Sequence, residues 1–252
     1  MTDTIVFSQQ GPVGTLTLNN PEKHNALGME QFEGIHAALE EANGLDDLRV
    51  LVLTGAGGKT FCAGAALNEL SSGGIRDDAF QAMTTAVSAF PLPTICAVNG
   101  NVFGGGAELA LSCDFRIGVT GTRMRVPAAS IGLCYPLPGI QKFIARLGPH
   151  VAKRVLVASE EMDAQELLRI DFLDKLVEPE QLEAEVEAYA QHIASLAPLA
   201  VRAMKRLLQQ ASEVPIDAGL AAELSELCLG SADLQEGFAA KREKREPVFQ
   251  GR

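Results

Sequence analysis

The chain has 252 residues, 47% of them apolar, no tryptophan, and 21 Lys and Arg against 32 Asp and Glu for a net charge of −11. That length and apolar share support a sizeable core, one domain plus an appendage, and the acidic balance disfavours non-specific binding to nucleic-acid phosphates. The only long uncharged stretch, 79–107, contains Pro91, Pro93 and four glycines, which excludes it as a membrane span.

In chain order, MTDTIVFSQQG has neither a basic region nor an apolar stretch of the kind that opens a secretory leader. VGTLTLNN (13–20) alternates loosely, with Val13, Thr15 and Thr17 against Leu16 and Leu18, and runs into Asn-Asn-Pro, a strand followed by a turn. MEQFEGIHAALEEAN (29–43) places Phe32, Ile35, Leu39 and Ala42 at helical spacing before Gly44. LRVLVLTGAG (48–57), PTICAVNG (93–100) and DFRIGV (114–119) are short apolar runs, the mark of strands buried on both faces. Strands alternating with helices predict parallel βα units and an α/β fold. From about residue 145, HVAKRVLVASEEMDAQELLRI and then PEQLEAEVEAYAQHIASLAPLAVRAMKRLLQQASEV are helical in period, with a boundary expected near Ser195 or Pro198. Leu199, Ala200, Ala203, Met204 and Leu207 form an apolar face there, to be covered by the core or by a neighbouring subunit. Cys62, Cys96, Cys113, Cys134 and Cys228 have no CxxC or metal-ligand spacing, so no metal is expected, and the reading is free thiols in a reducing cytoplasm.

Residues 99–114 read NGNVFGGGAELALSCD. Glycine inside a helix costs roughly 1 kcal/mol, so three in succession at a helix entrance mark a place that needs bare backbone. The turn is either a tight packing joint or a set of N–H groups facing a ligand oxygen. A second turn of the same kind, GKTFCAGAALNEL (58–70), follows LRVLVLTG with Ala63, Gly64 and Ala65 at the helix entrance. Unpaired N–H groups and the positive end of the helix dipole allow two such turns, side by side, to hold one oxyanion.

FCAGAALNEL, AVNGNVFGGGAELALSCDFRIG and the terminal EKREPVFQGR resemble the crotonase superfamily, the enoyl-CoA hydratase/isomerase family, over essentially the whole chain. The resemblance implies an α/β spiral of ββα units over residues 1–195 and a helical C-terminal trimerisation region over 196–252. It further implies a homotrimer or a hexamer of two trimers, and a coenzyme A thioester as substrate. No separate cofactor is implied, since the substrate carries the coenzyme. The family's oxyanion-hole donors fall on Ala65 and Gly105, each worth on the order of 3–4 kcal/mol when a thioester becomes an enolate. Glu108, in the first turn after Gly105, matches one of the two catalytic glutamates of the hydratases; read on its own it is a favourable acid at a helix N-terminus. Lys23, His24, Ala26 and Ala63 match the segments that line the coenzyme, and Lys244 matches a lysine that reaches a neighbouring subunit's coenzyme. Lys241 stands where the family commonly has a phenylalanine.

The sequence departs from the family at MRVPAASIGL, where Ala128 occupies the place of the second hydratase glutamate. Hydration needs a base for water and an acid for the α-carbon, work that paired carboxylates share. Tyr135, in a Cys-Tyr-Pro-Leu-Pro turn, is similar to the tyrosine of the superfamily's methylmalonyl-CoA decarboxylases, and a phenol can orient a carboxylate. Ser130 and Cys134 are read as core or turn residues and Asp114 as structural. Phe61, Leu67, Leu70, Phe80 and Met83 are candidates for the acyl pocket. The reading is an enoyl-CoA hydratase-like enzyme, with a methylmalonyl-CoA-type decarboxylase or a non-catalytic acyl-CoA-binding member as alternatives.

Overall fold

The computed structural model describes residues 4–66, 78–131, 133–213, 223, 227, 230–245 and 247–252. Leu67, Leu70 and Cys228 lie outside them. Two sheets organise the chain. β1 (Ile5–Gln10), β2 (Val13–Leu18), β3 (Val50–Gly55), β5 (Thr94–Val98), β7 (Phe115–Val119) and β10 (Lys175–Val177) lie side by side in that order. Only the β1–β2 pair is antiparallel. A smaller sheet is built from β4 (Thr60–Cys62), β6 (Asn101–Phe103), β8 (Arg123–Arg125) and β9 (Met162–Asp163).

The chain visits the two sheets alternately. β3, β5 and β7 of the large sheet are each followed by β4, β6 and β8 of the small one, and a helix then returns the chain. These are the expected ββα units, and their succession makes the expected spiral. The returning helices are α2 (Ala79–Ala89), α3 (Gly105–Ser112) and α4 (Leu137–Leu156). α1 (Met29–Asn43) precedes them and buries Phe32, Ile35, Leu39 and Ala42, the face its spacing predicts.

The short apolar strands are buried on both faces because each face meets a different layer. Leu51, Leu53, Cys96 and Val98 join the larger core with α1, α2 and α3. Val50, Val52, Ile95 and Ala97 face a second cluster closed by Leu182, Val186, Ala190 and Ile193 of a later helix, α6 (Leu182–Ala194). The helical run expected over 150–170 is interrupted. α4 carries a kink at Gly148 and ends at Leu156, the chain then crosses to β9, and only Ala164–Arg169 (α5) resumes a helix. α7 spans Pro198–Glu213. It packs on the core: Lys205 forms an ion pair with Asp114 at 2.6 Å and donates to the Leu92 carbonyl at 2.7 Å, while Gln209 donates to the Ser88 carbonyl. Of its predicted apolar face, Ala203 is buried and Met204 is 55% exposed. Asp114 also accepts from the Thr94 N–H and hydroxyl, which gives it the structural role read from the sequence. The last helix, α8, spans Ala232–Glu243.

Candidate active site

The two glycine-bearing turns meet. β4 delivers Ala63-Gly64-Ala65 and β6 delivers Gly104-Gly105-Gly106, and the two strands are parallel neighbours. Gly64 (φ +80°) adopts a backbone conformation that favours glycine. A Cβ there would collide with the Gly105 nitrogen and lie 2.8 Å from the Phe103 carbonyl oxygen. Gly104 (φ +52°) is the N-cap of α3, which leaves the Gly105 N–H without a helical acceptor. A Cβ built on Gly105 would lie 3.6 Å from the Ala65 nitrogen, so the two amides belong to one small patch. Phe80 of α2 packs across this patch, with its ring 2.7 Å from that same Cβ position.

The patch opens into a cavity of about 660 Å³. Ala63, Ala65, Gly104 and Gly105 line it together with Phe80, Phe103 and a wall segment that contributes Ala128, Leu133, Cys134 and Tyr135. Ala128, Tyr135 and both oxyanion candidates are thereby brought together, as the sequence reading requires. Cys134, read as a core or turn residue, is exposed and faces the cavity. Phe61 and Met83, pocket candidates in the sequence, are instead fully buried in the core. Arg125 and Glu161 line the cavity as well, and sequence reasoning missed both. Glu161 is ion-paired with Arg123 at 3.3 Å. Its arrival here depends on the antiparallel pairing of β8 with β9, a three-residue strand against a two-residue one that leaves no periodic signal.

Glu108 is fully buried, and its carboxylate adjoins Tyr135 and Gln81 of the cavity lining. Its Oε1 accepts from the Thr84 hydroxyl at 3.1 Å and faces the Lys142 ammonium at 3.7 Å. Its Oε2 accepts from Gln81 at 3.4 Å, and Gln81 itself lines the cavity. Gly139 makes room for the arrangement: a Cβ there would strike the Tyr135 ring and lie 2.7 Å from Oε2. Tyr135 stacks edge-on against Phe143, and its hydroxyl is buried with no hydrogen-bond partner. Burial first, and then the neighbouring Glu108 carboxylate, push the Tyr135 phenol well above its ordinary pKa. The phenol is therefore neutral, and the carboxylate beside it is that of Glu108.

The segment carrying Lys23, His24 and Ala26 is laced to the oxyanion strand. Ala63 N–H donates to the His24 carbonyl, Leu27 N–H to the Gly64 carbonyl, and Ala66 N–H to the Leu27 carbonyl. His24 and Asn25 have positive φ. Buried Asn25 clamps the turn by accepting from Asn20 N–H and donating to the Ala56 and Thr60 carbonyls. Lys23 and His24 are exposed and Ala26 is half-buried; none of the three lines the cavity. Lys244 is exposed just beyond α8, with φ +55°, and does not line the cavity either. Among the described residues no group of His, Cys, Asp and Glu could hold a metal ion.

A sequence profile described as enoyl-CoA hydratase/isomerase matches residues 8–252. The chain is 32% identical to a crotonyl-CoA hydratase of Syntrophomonas wolfei, over 98% of each chain. It is 33% identical to a carnitinyl-CoA dehydratase of Citrobacter koseri, over the full length of both. The crystal structure of an enoyl-CoA hydratase/carnithine racemase from Magnetospirillum magneticum superposes with a TM-score of 0.93 at 31% identity, covering 100% of this chain and 97% of that one.

Proposed function

This chain belongs to the enoyl-CoA hydratase/isomerase family of the crotonase superfamily, and on that premise we propose that it adds or removes water across the α,β bond of an acyl-CoA thioester. The observation that carries the reading is the paired Ala65 and Gly105 amides, lining a cavity together with Gln81 and Tyr135, the neighbours of the buried Glu108 carboxylate. The thioester carbonyl oxygen sits between the two N–H groups. When water adds at the β-carbon, negative charge builds on that oxygen, and two fixed donors stabilise the charge without reorganising. Glu108 carries the proton, with Oε2 as the working oxygen because Oε1 is occupied by Thr84 and Lys142. Gln81 and Tyr135 stand between the carboxylate and the substrate and gate its access. Coenzyme A runs along Lys23, His24, Ala26 and Ala63, and Lys244 serves the coenzyme of an adjacent subunit. We assign residues 196–252 to oligomerisation, as a trimer or a dimer of trimers in the cytoplasm, because Met204 and Leu208 leave apolar surface exposed on α7 at 55% and 71%.

A second reading is favoured by one feature. Ala128 removes the second carboxylate, and the neutral Tyr135 phenol on the cavity lining suits the carboxylate of a malonyl-type thioester, which would lose CO2 to give the same enolate. A panel of enoyl-, 3-hydroxyacyl- and malonyl-type CoA thioesters, followed by mass detection, separates the two. Water gain or loss is expected; CO2 release alone overturns hydration in favour of decarboxylation. Absence of both reactions, with acyl-CoA binding retained in calorimetry, leaves a non-catalytic binder.

A further inference from the structure

A buried carboxylate needs a compensating charge and hydrogen bonds, or it does not stay ionised. Around Glu108 the groups come from four directions. α2 supplies Gln81 and Thr84, α3 supplies Ser112, the wall supplies the neutral Tyr135 phenol, and α4 supplies Lys142. Lys142 is the one cation ion-paired with Glu108 among the described residues. Its ammonium also donates to the Ser112 hydroxyl at 2.7 Å, and that hydroxyl donates to the Glu108 carbonyl at 2.7 Å. One lysine therefore holds both the side chain and, through Ser112, the backbone of the same glutamate.

Lys142 does not line the first cavity but a second one, of about 690 Å³, whose lining includes Gln141, Arg146, Gln209 and, shared with the first cavity, Gln81. Lys142 keeps 16% of its side chain exposed, while Glu108 has none.

We propose that Lys142 is the positioning residue of the reaction: it neutralises Glu108 and ties down Oε1, so that Oε2 is the oxygen presented past Gln81 to the substrate. The proposal rests on Glu108 being the proton-carrying group. Lys142 touches no substrate in this arrangement, and its loss acts on turnover rather than on binding.

The test compares Lys142→Met, Lys142→Gln and Lys142→Arg with Glu108→Gln, on whichever thioester of the panel is turned over. Met and Gln are expected to lower kcat about 10-fold or more while KM and the calorimetric acyl-CoA affinity stay within about twofold, and Arg is expected to recover most of the rate. Lys142→Gln keeps a donor for Ser112 but not the charge, so it separates positioning by charge from packing, and it serves as the test if the methionine variant does not fold. In a Glu108→Gln background, Lys142→Gln should lower kcat no further. Wild-type kcat in folded Lys142→Gln, with Glu108→Gln inactive, overturns the proposal and leaves the role of Glu108 standing. Full activity in Glu108→Gln overturns the role of Glu108, and the positioning proposal with it.

Discussion

Two segments line the cavity and contribute to it in different ways. The turn from Asn99 to Ser112 is fixed by its backbone. Gly104 has a left-handed φ, a Cβ on Gly105 would meet Phe80, and a Cβ on Gly106 would lie 2.9 Å from the Cys62 Cβ. Among the described residues of the wall, the Ser130 hydroxyl donates to the Pro127 carbonyl, the Leu133 N–H donates to the Ala128 carbonyl and Tyr135 stacks on Phe143, and the wall presents side chains to the cavity. On the proposed reading, the turn sets where charge builds and the wall sets which acyl group is placed there. The shared chemistry would then belong to main-chain atoms, which substitution rarely removes, and selectivity to side chains that can be exchanged.

The contrast can be broken first at the turn. Gly105→Pro deletes one oxyanion donor, and kcat should fall by about 100-fold or more on every substrate, measured beside a circular-dichroism control for folding. At the wall a comparable change should act selectively: Leu133→Ala, at a half-exposed cavity position, should alter the ratio of kcat/KM between short and long acyl chains by about 10-fold while leaving the best rate near wild type. Equal losses on all chain lengths would show that the wall, too, serves the common step. The mildest expected change is Tyr135→Phe, with turnover in water addition kept within about threefold. Its signature lies in stability. The native phenol titrates well above the unfolded value of 10, so its contribution is complete below pH 10 and is lost as the pH climbs toward the raised native value. Alkaline unfolding should therefore be flatter in Tyr135→Phe than in wild type. A large loss of CO2 release in this variant would instead assign the hydroxyl to decarboxylation.

How much of this was legible depends on the length scale of the signal. VLVLTG and TICAV could be read as strands because burial on both faces makes a continuous apolar run, and Met29–Asn43 could be read because eleven or more residues suffice for a helical period. β1 was missed: IVFSQQ lies at a sheet edge and is mostly exposed, so its composition carries little pattern. The small sheet was invisible, since strands of two or three residues contain no period, although it carries both glycine turns and brings Glu161 to the cavity. Glu108 was visible beside its glycines, but its depth was not. Lys142 reads in PLPGIQKF as an ordinary helical lysine; only the tertiary fold reveals the carboxylate opposite it.

The pairing of Lys205 with Asp114 carries a consequence for the order in which the protein takes shape. Asp114 stands two residues beyond the end of α3, and its counter-charge is encoded ninety-one positions later, in a helix that leaves the ribosome after the entire spiral. The nascent spiral can already tie Asp114 to Thr94 through local hydrogen bonds. The ammonium, largely withdrawn from water and lowered in pKa chiefly by that burial, arrives as the closing clasp. A chain cut short before Pro198 would thus retain both glycine turns and lack the clasp at the far end of the helix that one of them starts.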